Sequence, residues 1–223
     1  RGDIVGISGL MGAGRTEVVE SIFGIRPSMG KITINNETFE NPTSEVMMGH
    51  GIGFIPEDRR REGLFEIRPL RENLTIAYIN QMVDRALPAI GFKNERENAL
   101  QIAKDFRLVY SDIENDIRFL SGGNQQKALL ARWLSKRPRI CIMDEPTRGV
   151  DIGAKEEIHE LMADLARAGS GILFFSSEIP ELMLLSHRIL VMRKGRMVHE
   201  MKREDFDAKK IIKHSATSER VEE

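Results

Sequence analysis

Three short stretches hold residue types whose spacing could do chemistry. Gly9-Leu10-Met11-Gly12-Ala13-Gly14-Arg15-Thr16 follows an apolar run and precedes a helical pattern of Val18, Val19, Ile22 and Phe23. Glycines at a strand-to-helix turn let backbone N–H groups converge on phosphate oxygens, and the helix N-terminus adds a favourable dipole. The spacing follows the phosphate-loop template G-x-x-x-x-G-K-[ST], with Thr16 placed to offer its hydroxyl to Mg2+. The lysine position, however, holds Arg15, whose planar fork can pair with phosphate but is larger than an ammonium. From context alone the stretch reads either as a phosphate cradle or as a glycine-rich turn with no ligand.

The second stretch, Ile140-Cys141-Ile142-Met143-Asp144-Glu145, is an apolar strand ending in two carboxylates. Beside a phosphate loop, Asp144 suits Mg2+, usually through water, and Glu145 can polarise an attacking water. An isolated acid pair at a strand end is often only a surface cap; here Pro146-Thr147 and Asp151 follow it. The third stretch, Leu120-Ser121-Gly122-Gly123-Asn124-Gln125-Gln126-Lys127, lies just upstream. Ser121 and two glycines opening a helix present free N–H groups and a hydroxyl, which is an anion site. Taken singly, S-G-G is a helix cap; the combination with the acid pair and the glycine loop is far more specific.

The elements that must position these groups are legible as short apolar runs. Residues 4–7, 52–55, 140–143, 172–175 and 189–192 read as strands covered on both faces, as in a parallel sheet. Helical stripes lie between them: Ile158, Leu161, Met162 and Leu165 in a helix of about 153–168, and Leu129, Leu130, Trp133 and Leu134 after the Ser121 motif. Leu100, Ala103, Lys104 and Phe106 mark a third, more polar helix. The alternation predicts an α/β core with crossover parallel strands. Residues 56–63 form a charged loop, and the stretches 70–82 and 95–107 read as helices without a strand, a lobe inserted into the core. Residues 196–200 fit a last strand, 204–213 a short helix, and 215–223 a frayed polar end.

Composition bounds the partners. The 223 residues carry 33 Lys+Arg against 34 Asp+Glu, so bulk electrostatic binding to nucleic acid or anionic lipid is not expected. One cysteine, Cys141, excludes an internal disulfide framework and a cysteine-based zinc cluster, and points to a reducing compartment. The five histidines show no metal-ligand spacing. No apolar run approaches the roughly 20 residues that span a bilayer. The chain begins at Arg1 and enters a strand almost at once, so it reads as a piece of something longer.

Together the motifs resemble an ATP-binding cassette (ABC) domain, over essentially residues 1–200. GLMGAGRT at 9–16 resembles the family's Walker A, LSGGNQQK at 120–127 its signature, and IMDEPT at 142–147 its Walker B, with Gly149-Val150-Asp151 at the D-loop. The arginine-bearing loop, IPEDRRREGL at 55–64, DEPTRGVDIGAK at 144–155 and SSEIPEL at 176–182 resemble more narrowly the second cassette of bacterial monosaccharide importers of the ribose, xylose, arabinose and galactose type. The resemblance implies a P-loop NTPase fold with a mainly parallel core sheet, an additional antiparallel β region and an inserted helical lobe of about 66–136, all in one domain of 1–223 with a tail at 201–223. It also implies ATP and Mg2+ as cofactors. Gly9, Leu10, Met11, Gly12, Ala13, Gly14, Arg15, Thr16, Ser121, Gly122, Gly123, Gln125 and Asp151 would contact nucleotide, Thr16 and Asp144 the metal. Implied partners are a second cassette, in the same chain or another, membrane-spanning permease subunits and, indirectly, a periplasmic sugar-binding protein. The expected place is the cytoplasmic face of a bacterial inner membrane. The aromatic residue that stacks on adenine in this family would lie ahead of Arg1.

Three positions depart from the family pattern: Arg15 for the Walker A lysine, Glu57 for the Q-loop glutamine and Ser177 for the switch histidine. Glu57, Glu145 and Ser177 are therefore the candidate catalytic positions of a weakened hydrolytic site, in which Glu57 would bring a carboxylate toward the triphosphate. Because such cassettes pair head to tail, the intact Ser121-Gly122-Gly123 face would complete the partner's site. Arg59-Arg60-Arg61 reads as a solvated loop or as a contact for the membrane subunit. Rival readings are a cassette that binds nucleotide without cleaving it, and a soluble ABC protein outside transport, which would carry coiled-coil insertions or linker motifs not present here.

Overall fold

A computed structural model describes residues 2–81 and 92–216. The frayed end expected at 215–223 and the stretch that closes the expected 70–82 helix fall partly outside the described residues.

The described residues form two compact units: one from 2–54, 138–146 and 162–216, the other from 55–81, 92–137 and 147–161. The first unit is organised by a six-stranded sheet of order β4-β5-β6-β1-β7-β8. Its strands are β1 (Ile4–Gly9), β4 (Ile52–Ile55), β5 (Ile140–Asp144), β6 (Gly171–Phe175), β7 (Arg188–Arg193) and β8 (Arg196–Lys202). β1 lies parallel to β6 and β7, β5 lies parallel to β6, and β8 runs antiparallel to β7. All five apolar runs of the sequence are strands here, because both faces of each are covered. Ile7, Cys141, Ile142, Met143, Phe174, Phe175, Ile189 and Val191 are all buried. Gly6 is required where β1 meets the next layer: a Cβ there would lie 2.3 Å from Ser186 Oγ.

A separate antiparallel hairpin, β2 (Lys31–Ile34) with β3 (Glu37–Glu40), supplies the additional β region. Helices α1 (Arg15–Phe23), α2 (Ser44–Gly49), α7 (Ile179–Leu185) and α8 (Ala208–Ala216) complete this unit. Gly24 ends α1 in the left-handed region at φ 82° and donates to the carbonyls of Glu20 and Ser21. Thr43 caps α2 by accepting the Val46 N–H, a contact of the kind that contributes about 1 kcal/mol.

The second unit is helical: α3 (Leu70–Thr75), α4 (Phe92–Asp105) and α5 (Gly122–Leu134), with 310 turns at Ile76–Gln81 and Ile117–Phe119 and a π-turn at Arg59–Gly63. α6 (Ile152–Arg167) contributes its first ten residues to this unit and the rest to the other. The charged stretch read as a loop at 56–63 thus contains a helical turn, because Asp58 accepts the N–H groups of Arg60 and Arg61 and starts it. The buried stripe of α4 is Ala99, Ile102 and Ala103; Phe106, expected in that helix, lies past its end. Arg132 on α5 is buried and donates to the carbonyls of Asn73 and Gly63, tying three segments together. Burial alone pulls its pKa down to about 10, so it remains cationic near neutral pH.

Candidate functional site

In the first unit the loop between β1 and α1 has the form of an anion cradle. Gly12 and Gly14 adopt φ 79° and 93°, conformations that glycine reaches without the penalty of a side chain. Gly9 is held by close packing, since a Cβ would lie 2.8 Å from the Met192 carbonyl oxygen. Ala13 donates to the Leu10 carbonyl and accepts from Gly195 N–H, which fixes the curl of the loop. Leu10 and Met11 at its tip are exposed. Gly14 offers no side-chain cap to α1, so the first-turn N–H groups are left for an anion.

The two residues expected to serve a metal lie together: Thr16 Oγ1 donates to Asp144 Oδ2 at 3.1 Å. Among the described residues no group of three or more His, Cys, Asp or Glu side chains could hold a metal. That donor set fits Mg2+, which is commonly bound by one or two protein oxygens together with substrate phosphates and water.

Glu145 follows directly on β5. It stands at φ 49°, in the left-handed region that non-glycine residues seldom occupy, and its N–H donates to the Phe175 carbonyl. Its carboxylate is engaged on both oxygens. Arg15 Nη1 lies 3.1 Å from Oε1, as an ion pair without hydrogen-bond geometry, and Ser177 Oγ donates to Oε2 at 3.2 Å. The Arg15 and Glu145 side chains are only 13% and 7% exposed, so solvent screens the pair weakly. Three of the expected positions, Arg15, Glu145 and Ser177, therefore form one cluster. Behind it the Cys141 thiol is fully buried, and burial pushes its pKa up.

The second unit holds the other face. Ser121 caps α5, its Oγ accepting from the backbone N–H and side-chain amide of Asn124 at 3.3 and 3.0 Å, which leaves its own hydrogen free to donate outward. Gly123 is required by packing, since a Cβ there would lie 2.7 Å from Ala154 Cβ; one on Gly122 would lie 3.0 Å from Arg59 Nη2, the far end of a flexible side chain. Asp151 precedes α6 and accepts the Ala154 N–H at 2.9 Å.

Two expected positions are engaged within the protein. Gln125, assigned to the nucleotide, is buried and turned inward, its amide donating to the carbonyls of Ile117, Arg118 and Leu120. It braces the turn ahead of α5, because a buried amide must find partners and those carbonyls end a 310 turn. Glu57, expected to carry a carboxylate toward the triphosphate, is instead paired with Arg148. The arginine run is corrected in part. Arg60 is exposed and faces Glu66 at 3.7 Å, but Arg59 is half-buried and donates to the Arg148 carbonyl at 3.0 Å and the Gly149 carbonyl at 3.5 Å. Burial first, then the charge of Arg60, draws its pKa below the ordinary arginine value, against the opposing pull of Asp58. Sequence reasoning missed the Arg59 and Arg148 contacts. The only hint was the opposite charge of two loops far apart in the chain.

An α/β sheet of this strand order, with a glycine cradle after β1 and an acid pair after β5, is that of a nucleotide-binding cassette. The ABC transporter family model matches residues 1–148, and the chain belongs to that family. Among curated proteins it is 40% identical over 212 residues to the putative ribose/galactose/methyl galactoside import ATP-binding protein 3 of Agrobacterium fabrum, covering 95% of this chain and 42% of that protein. It is 42% identical over 219 residues to a ribose import ATP-binding protein of Mesorhizobium japonicum, covering 96% and 42%. The chain thus spans less than half the length of these relatives. Among solved structures, an ATP-binding cassette crystallised as a dimer with ADP and Pi is 25% identical, with a TM-score of 0.76 over 92% of this chain and 87% of that one. A nucleotide-free cassette from an ABC transporter shares the fold, with a TM-score of 0.80 at 21% identity over 97% and 89%. No helix among the described residues is long and apolar enough to cross a membrane.

Proposed function

We propose that the chain is one ATP-binding cassette of a monosaccharide importer, peripheral to the cytoplasmic face of a bacterial inner membrane and working with permease subunits and a second cassette. Its own Walker site holds nucleotide with little hydrolysis, and its signature face completes the site of the other cassette. The carrying observation is the Arg15–Glu145–Ser177 cluster. A general base needs a lone pair facing the water it activates, and here Arg15 and Ser177 stand against the two carboxylate oxygens of Glu145, leaving it fewer directions from which to take a proton.

When bound, Mg2+ would neutralise phosphate charge, held from the protein side by Thr16 and Asp144. The glycine N–H groups of the loop and the uncapped first turn of α1 orient the phosphates. Arg15 either stays on Glu145 or turns to phosphate; in the first case it crowds the base, in the second the loop gains a bulkier cation than the usual lysine. The likeness to sugar-import ATP-binding proteins supports the substrate class; a sugar itself would be recognised elsewhere in the assembly.

The test is turnover by the purified chain. Mg-ATP hydrolysis is expected near background, with Glu145→Gln changing it little. Robust Mg2+-dependent turnover abolished by Glu145→Gln would overturn the weakened site.

A further inference from the structure

One arginine bonds the segment after β4 to the D-loop and lies beside the start of α5. Arg59 donates to two consecutive D-loop carbonyls, those of Arg148 and Gly149, and its Nη2 sits 3.0 Å from where a Gly122 Cβ would be. The Gly149 carbonyl oxygen lies 3.6 Å from that same Cβ position, so the three groups meet at one point. Gly149 is at φ 68°, the turn that aims its carbonyl. A second contact joins the same two loops, the Glu57–Arg148 ion pair. Below them Asp151 Oδ2 stands 3.3 Å from the Gly123 Cβ position. Arginine suits this post because its planar fork can bond two oxygens at fixed separation, which a lysine ammonium on a flexible stem does not reproduce.

We propose that Arg59 is a positioning residue for the signature face: by holding the Arg148 and Gly149 carbonyls it fixes the D-loop against Gly122 and so sets the geometry that Ser121-Gly122-Gly123 presents to a nucleotide in the opposing cassette. This rests on the composite-site reading proposed above. Arg59 itself touches no nucleotide in this role. Its removal leaves the two carbonyls to water and lets the D-loop move relative to Gly122. A displacement of about 1 Å in a positioning group can cost on the order of 10²-fold in rate.

The experiment uses the assembled transporter and measures steady-state ATPase kcat and KM for ATP with Arg59→Ala, Arg59→Lys and, as reference, Gly122→Asp. Thermal melting of each variant is recorded alongside. Arg59→Ala is expected to lower kcat by roughly 10–100-fold with KM for ATP nearly unchanged. Arg59→Lys should recover little, whereas millimolar guanidinium added to Arg59→Ala should restore part of the lost kcat without changing the wild type. Loss of activity in Gly122→Asp with wild-type kcat in Arg59→Ala overturns the positioning role alone. Wild-type turnover in both variants overturns the composite site and this role with it. A kcat loss that tracks a lowered melting temperature and resists guanidinium marks Arg59 as merely structural, and overturns the proposal as well.

Discussion

A carboxylate at the end of a buried strand is held by whichever partners lie within reach, and Glu145 has two. Arg15 and Ser177 are two of the three positions read as departures from the family pattern, and both converge on Glu145. Sequence reading could find each position, because the motifs fix their offsets. It could not find the cluster, since which oxygen meets which donor depends on the left-handed turn at Glu145. Two residues before Asp144 in β5, Met143 and Ile142, seal the strand, and Cys141 just before them is 0% exposed. With its pKa raised by burial, its thiolate fraction at neutral pH falls below that of a free cysteine, and the thiolate is the reactive form. A thiol reagent at pH 8 should therefore leave the folded chain unmodified and label one cysteine only after denaturant is added. Rapid labelling of native protein would show that β5 opens readily.

At the scale of elements, α5 and α6 approach closely at a glycine. The Gly123 Cβ position lies 2.7 Å from Ala154 Cβ, closer than real Cβ contacts fall. Gly123→Ala should destabilise the chain by about 1–3 kcal/mol, the usual cost of overpacking. Ala154→Gly alone costs about 1 kcal/mol of helix propensity, yet in the Gly123→Ala background it should cost less or become neutral. Urea denaturation of the four proteins reads this as a coupling in a double-mutant cycle. Additive effects would mean that the two positions do not touch. The sheet was legible because its strands are continuous apolar runs. The β2–β3 hairpin has no run to read: Lys31, Thr33, Glu37, Thr38 and Glu40 are exposed, and only the resemblance implied an antiparallel region. The π-turn at Arg59–Gly63 was hidden for a related reason. Its start is set by the Asp58 side chain, and a charged stretch carries no periodicity of burial. The inward contacts of Gln125 could not be read either, because motif membership does not say which way a side chain points.

At the scale of the whole molecule, the two units are proposed to carry two different kinds of phosphate face, and the two are expected to respond differently to damage. The β1–α1 cradle retains its glycines and Thr16, so Mg-ATP should stabilise the chain. Saturation at about 100 times Kd would add roughly 2.7 kcal/mol, seen as a higher melting temperature; no shift at millimolar Mg-ATP would make the cradle vestigial. The signature face presents the capping Ser121 with an outward hydrogen, Gly122, and the first-turn N–H groups of α5 ahead of the capped Asn124. In the assembled transporter, Gly122→Asp would place a carboxylate both against Arg59 and toward the opposing γ-phosphate. The first contact pulls Arg59 off the D-loop and the second repels the ligand, so the two effects add. Losing one oriented donor at a phosphate-transfer site typically costs about 10²–10³ in rate, and turnover should fall at least that far. Arg15→Ala acts where the base is already engaged. It removes a phosphate-pairing cation and should weaken nucleotide binding by this chain while leaving substantial ATPase activity and sugar uptake, because the hydrolysis would take place in the other cassette. Measuring both activities for each variant decides the matter. If Arg15→Ala abolishes them while Gly122→Asp is tolerated, the division of labour between the two faces runs the other way.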